Sequence, residues 1–283
     1  MSLTQTQSDS RAVTLFPGGL SPLDEAALAR AVAELSGSNV AIRLAQAIGR
    51  QLVAAGLVAP PQIAAAVRSS AEAAIRAAMA VALRTLPPGR KDRDRMHKSV
   101  VTLAGAAGGA LGVAALPVEL PFTTTMMLRS IAAIAQDEGE DLADPEAALA
   151  CLEVFALGGE VGVETGATAG AEDMGYYAAR VMLAKMVSQS ARHALHRGLS
   201  VDALPMLARL TSQIAARFGV VVSQKLAAQA VPIIGAASGA AINYAFVEHF
   251  QSLAHGHFTV RRLERVYGAA LVRAEFERLR ARA

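Results

Sequence analysis

Apolar residues recur every three to four positions along most of this chain, and Pro, Gly and Ser interrupt them at helix-length intervals. Ser21-Pro22 followed by Asp24 and Glu25 reads as a helix start: an N-cap, a proline in the first turn and acids beside the positive helix end. That helix is predicted to stop near Gly37, a second to run from Asn39 to Ala55, and a third from Pro61 to Leu86. The stretch Pro87 to Asp94 is the clearest linker. Ser99 to Val118 then carries no charge for twenty residues. Pro117 and Pro121 predict an elbow, with a second apolar arm from Phe122 to Gln136, so the two arms read as a helical hairpin. Asp144-Pro145-Glu146 opens another helix through Leu157. Gly158, Gly162, Gly166 and Gly170 follow at every fourth position and predict an irregular loop, because each glycine costs a helix interior about 1 kcal/mol. A helix from Met174 to Leu195 and one capped by Ser200 and ending at Arg217-Phe218-Gly219 come next. Leu226 to Val247 is a second uncharged run, interrupted by Pro232, and an amphipathic basic helix closes the chain after Gly268. No segment reads as a strand. The expected fold is all-α, a multi-helix bundle with Gly/Ala-rich central helical hairpins. Its expected divisions are a disordered tail over 1–20, an N-terminal helical region over 21–86 and a helical domain over 90–283.

Composition supports that class. Hydrophobic residues make up 53% and aromatics only 4%, with no Trp, so the apolar content is largely Ala and Leu. The single Cys151 cannot form an internal disulfide and reads as a small buried helix residue. The polar first residues show no secretory signal, and the expected location is cytoplasmic, peripheral at the inner face of the cytoplasmic membrane. A net charge of +3 conceals segregation: no Lys or Arg lies between Arg129 and Arg180, an interval holding eleven acids. Basic residues collect at Arg84 to Lys98 and at Arg261 to Arg282. Two readings stand side by side: clusters that meet anionic headgroups, or helix faces that pair with the acidic middle.

Small residues four apart let helix backbones approach closely, as at Gly105, Gly109, Gly108 with Gly112, and Gly235 with Gly239. Both uncharged runs are long enough to cross a bilayer, but Ala and Gly insert weakly, so a surface-bound or re-entrant hairpin or a buried core competes with a span. The helical pair His193 and His196, or His255 with His257, lacks the third convergent ligand a metal site needs, and no metal or cofactor is expected. Glu160 and Glu164 read as a solvated loop rather than an acid/base pair. Phosphate-loop, nucleophile-elbow and dinucleotide patterns are absent. Few aromatics and intermixed acids argue against nucleic acid as a partner. If the chain holds a polar site at the hairpin mouth, its candidates are Glu119, Arg129, Glu138, Asn243, His249 and Arg262, serving a hydrolase-like chemistry.

Several blocks in order carry a family resemblance: Leu116-Pro-Val-Glu-Leu-Pro, Leu128-Arg-Ser-Ile-Ala, Asp137-Glu-Gly-Glu-Asp-Leu, Cys151-Leu-Glu-Val-Phe-Ala-Leu-Gly-Gly, Lys225-Leu-Ala-Ala-Gln-Ala-Val-Pro-Ile-Ile-Gly-Ala, Gly239-Ala-Ala-Ile-Asn and Arg261-Arg-Leu-Glu-Arg-Val-Tyr-Gly. From about Arg84 to Gly268 the chain resembles the EcsC family of bacterial proteins. The resemblance implies a helix-rich bacterial protein. The family takes its name from a gene beside the ATPase and membrane subunits of an ABC transporter, which implies a membrane-linked role and brings no catalytic residue. The expected function is a non-enzymatic, membrane-associated accessory protein whose partner is anionic lipid or a membrane protein. An uncharacterised hydrolase and a soluble helical adaptor are the alternatives.

Overall fold

The computed structural model describes residues 19–36, 61–84, 116–158, 176–197, 205–229 and 235–282. These form eight helices: α1 (Pro22–Ser36), α2 (Pro61–Arg84), α3 (Leu116–Asp137), α4 (Pro145–Leu157), α5 (Tyr176–Arg197), α6 (Pro205–Gln229), α7 (Gly235–Tyr267) and α8 (Ala269–Arg280). No strand occurs among the described residues. The protein is an all-α bundle.

Helix α4 is its axis. Asp144 caps it, its Oδ1 accepting from the Glu146 amide at 2.9 Å, and Pro145 fills the first turn where its missing N–H costs nothing. Every residue from Ala147 to Ala156 is buried, as an all-round apolar helix must be. Helices α2, α3, α5, α6 and α7 pack around it. Phe155 meets Phe218 of α6 and Phe250 of α7 at ring centroid distances of 5.2 and 5.3 Å, in the edge-on and tilted arrangements that aromatic quadrupoles favour. A smaller core joins Leu28, Val32, Tyr177, Val260, Leu263, Val272 and Phe276, and fixes α1 and α8 to the C-terminal half of α7. Gly256 makes that docking possible: a Cβ there would sit 2.7 Å from Leu35 Cγ and 3.1 Å from the Ala31 carbonyl.

Helices α3 and α7 lie side by side and run in the same direction. Their polar contacts pair Ser130 with Gln251, Glu138 with Thr259 and Glu140 with Arg261, each 121 positions apart. A constant difference marks parallel helices; an antiparallel pair would keep a constant sum. The same offset puts Tyr244 level with Thr123, beside Phe122.

Two sequence expectations change. The chain does not turn at Pro121, which lies inside α3. The proline removes one bond close to the helix start, and burial of Leu120, Met127 and Leu128 outweighs that loss. Nor does α6 stop at Gly219; it continues to Gln229, carried by buried Phe218, Val221 and Val222. The predicted helix Asn39 to Ala55, the linker Pro87 to Asp94, the loop 159–175 with Glu160 and Glu164, and Gly105, Gly108, Gly109 and Gly112 lie outside the described residues. So do the turn at Pro232 and the first arm as far as Ala115. Gly235 and Gly239 fall in the first two turns of α7.

Candidate functional site

The chain concentrates charge at the C-terminal end of α3, and its local geometry explains how. Gly139 takes φ +82°, a left-handed conformation that glycine adopts freely. The Glu140 amide then reaches back to the Ala135 carbonyl at 2.9 Å and the Gly139 amide to the Gln136 carbonyl at 3.0 Å, which closes the helix in a Schellman motif. That cap presents Glu138 and Glu140 to one face of α7. Arg261 grips Glu140 with two bonds of 2.7 and 3.1 Å, and Arg265 reaches the same carboxylate. Arg262 bridges Glu138 at 2.7 Å and Asp24 of α1 at 3.2 Å. Burial alone would raise the Glu140 pKa, but bonds and charges from Arg261 and Arg265 outweigh it and hold the carboxylate below its ordinary value. One turn on, Arg180 of α5 pairs with Glu264 at 2.8 and 2.6 Å.

Behind these pairs lies a polar trio, two of whose members are fully buried. Glu153 of α4 is the sole charged side chain in the Ala147–Ala156 stretch and is 2% exposed. Its Oε2 stands 3.7 Å from Nε2 of His257, which is 0% exposed. The other ring nitrogen, Nδ1, shares a 2.9 Å hydrogen bond with the Tyr176 hydroxyl. Burial pushes Glu153 up to about 7, against the nearby cations of Arg261 and Arg180. It drives His257 well below its ordinary value, and the same two cations push it further. Sequence reasoning missed this trio, although a lone carboxylate within an unbroken apolar helix was a visible signal.

At the other end of the α3–α7 pair two large apolar side chains are exposed among the described residues. Phe122 is 47% exposed and Tyr244 is 42% exposed, and the parallel register puts both toward this end. Arg129, two turns along α3 on the Phe122 face, is exposed as well.

The six residues nominated from the sequence do not gather at one mouth. Glu138 and Arg262 meet directly. Glu119 is nineteen residues before Glu138 along the continuous α3, about 28 Å at 1.5 Å per residue. Asn243 and Arg262 stand equally far apart along α7. His249 is buried against Gly158 and Phe250, and burial pushes its pKa down to about 4. Arg129 points to solvent. His255 is exposed while His257 is buried, so the two do not converge, and no group of three or more metal-ligating side chains occurs among the described residues. Cys151 is fully buried, its thiol donating to the Ala147 carbonyl and raised in pKa by burial. None of the helices, within the described residues, is long and apolar enough to cross a membrane.

No curated protein and no solved structure matches the chain. A family model does: it matches residues 37–263, which span α2 through most of α7 and take in the buried trio and both ends of the parallel pair. On that match over most of its length, the chain belongs to the EcsC protein family.

Proposed function

We propose that this protein is a non-enzymatic accessory that binds the inner face of the cytoplasmic membrane through the end carrying Phe122 and Tyr244. The observation that carries the reading is the parallel register of α3 and α7, which brings two exposed aromatics to one end. Both uncharged runs of the sequence lead into that same end, one ahead of α3 and one around Pro232 ahead of α7. Aromatic side chains favour the headgroup level of a bilayer, and Arg129, about 10 Å further along α3, is placed to meet phosphates above them. The C-terminal arginines contribute little to headgroup binding, because Arg261, Arg262 and Arg265 are occupied by Glu138 and Glu140. An enzymatic reading is weaker: the nominated polar residues spread along whole helices, and catalysis needs groups within hydrogen-bond reach. A link to a transporter rests on the family's name, whereas lipid accounts for the exposed aromatics directly.

The test is co-sedimentation of the full chain with vesicles of phosphatidylethanolamine and phosphatidylglycerol. Wild type is expected to pellet, and Phe122→Asp combined with Tyr244→Asp to weaken binding about tenfold, the loss of part of two aromatic burials. A wild type that stays in the supernatant, or a double variant that binds equally well, overturns the reading.

A further inference from the structure

The buried trio has a geometry that a purely structural cluster does not need. A neutral imidazole carries one N–H and one lone pair, so whatever its one nitrogen does dictates what the other can do. In this protein both nitrogens face a titratable partner: Nδ1 the Tyr176 hydroxyl at 2.9 Å, and Nε2 the Glu153 carboxyl at 3.7 Å. Among the described residues Nε2 has no hydrogen-bond partner, although His257 is 0% exposed. A shortening of about 0.8 Å would bring Glu153 into bonding range. Burial decreases along the line: Glu153 and His257 are sealed, while Tyr176 is partly exposed. The line runs from α4 through α7 to the start of α5.

We propose that Glu153, His257 and Tyr176 form a proton-responsive relay, in which loss of one proton from the buried carboxyl switches the His257 tautomer and reverses the hydrogen bond to Tyr176. With Glu153 protonated, its O–H donates to Nε2 and Nδ1–H donates to the tyrosine oxygen. With Glu153 ionised, Nε2–H donates to the carboxylate and the tyrosine O–H donates to Nδ1. The first state holds three protons across the trio and the second holds two. The proton passes from the carboxyl to Nε2 and from Nδ1 to the tyrosine oxygen, and the tyrosine's own proton leaves to water. His257 is neutral in both states.

The surroundings set the balance. From α7, Arg261 faces Glu153; from α5, Arg180 does; from the start of α4, Glu146 does. Glu264 faces Tyr176 alongside Arg180. The two arginines favour the carboxylate, while burial and Glu146 favour the acid, and the outcome of about 7 puts both states within reach of ordinary cellular pH. Tyr176 also stacks on Phe276 of α8 at 5.5 Å, so the relay joins the central helix to α8.

The test is two-bond ¹H–¹⁵N correlation of the histidine side chains in the full chain between pH 5.5 and 8.5, with His257 assigned by its loss in His257→Asn. The expected result is a change from the Nδ1–H to the Nε2–H tautomer with a midpoint near pH 7. In Glu153→Gln one tautomer should persist across the range. A wild-type His257 that keeps one tautomer throughout, or becomes imidazolium by pH 5.5, overturns the relay. So does a switch that survives in Glu153→Gln. The wild-type measurement decides the matter even if the variant does not fold.

Discussion

The two ends of the α3–α7 pair carry opposite solutions to the same problem, what to do with a helix terminus at a surface. At the C-terminal end of α3, Glu138 and Glu140 meet Arg261, Arg262 and Arg265, and Asp24 of α1 completes the set. At the N-terminal end, Phe122 and Tyr244 stand exposed. The first end satisfies itself and holds the bundle together. The second exposes two large aromatic side chains at one end, the feature on which the proposed membrane contact rests. A positive net charge is thus a poor guide to partners in this chain: Arg261, Arg262, Arg265, Arg278 and Arg280 all pair with acids of the same molecule.

The difference can be broken most forcefully at the charged end. Arg261→Ala leaves the Glu140 carboxylate, only 6% exposed, with fewer partners, and should cost about 3 kcal/mol in urea unfolding. A cost under about 1 kcal/mol would mean that the network is ornamental.

The pH profile should show an effect of similar size. Glu153 has its folded pKa raised to about 7 from an ordinary 4.5, so its contribution is fully present below about pH 4.5 and is lost as pH rises through 7. The loss is of order 3 kcal/mol from about pH 4.5 upward, at about 1.4 kcal/mol per pH unit, and somewhat less than half of it falls above about pH 6. His257 acts in the opposite sense: its pKa is depressed, so its contribution is present above 6.5 and fades as pH falls. Stability should therefore decline toward alkaline pH, and Glu153→Gln should flatten that decline, as followed by thermal unfolding between pH 6 and 8.5.

Smaller again is Gly256→Ala. The added methyl would press on Leu35 and the Ala31 carbonyl and should cost about 2 kcal/mol, with α1 loosened first in hydrogen exchange. The smallest stability change belongs to the apolar end. Phe122→Asp should leave unfolding within about 0.5 kcal/mol of wild type, since its side chain is half exposed, while weakening vesicle binding. A large loss of stability there would make Phe122 a core residue and erase the contrast.

Local signals in the sequence were reliable where the physics is local. Asp144-Pro145-Glu146 marked the start of α4, and Ser21-Pro22 that of α1, because capping depends on four adjacent residues. Pro121 and Gly219 were misleading for the complementary reason. Each weakens a helix locally, and burial of distant side chains against them restores it. The charge segregation was legible and so was its alternative of pairing with the acidic middle, which the Glu138 and Glu140 contacts realise. The register of 121 between α3 and α7 was not legible, since it comes from contacts between distant parts of the chain. Nor was the continuity of α3 through Pro121, without which Glu119, Arg129 and Glu138 looked like neighbours of one mouth. The buried trio escaped because Glu153, Tyr176 and His257 share no motif; packing around α4 alone brings them together.

The central claim is that the molecule meets a membrane with one end and not the other, and the lack of any native Trp makes it directly measurable. Phe122→Trp installs a single fluorophore at the apolar end, and Arg273→Trp installs one on α8, where Arg273 lies over the Tyr177 ring. With vesicles containing brominated phosphatidylglycerol, Trp fluorescence from the Phe122→Trp protein should be strongly quenched and shifted to the blue, and that from Arg273→Trp should be unchanged. Quenching of the Arg273→Trp protein instead, or of neither, would contradict the account.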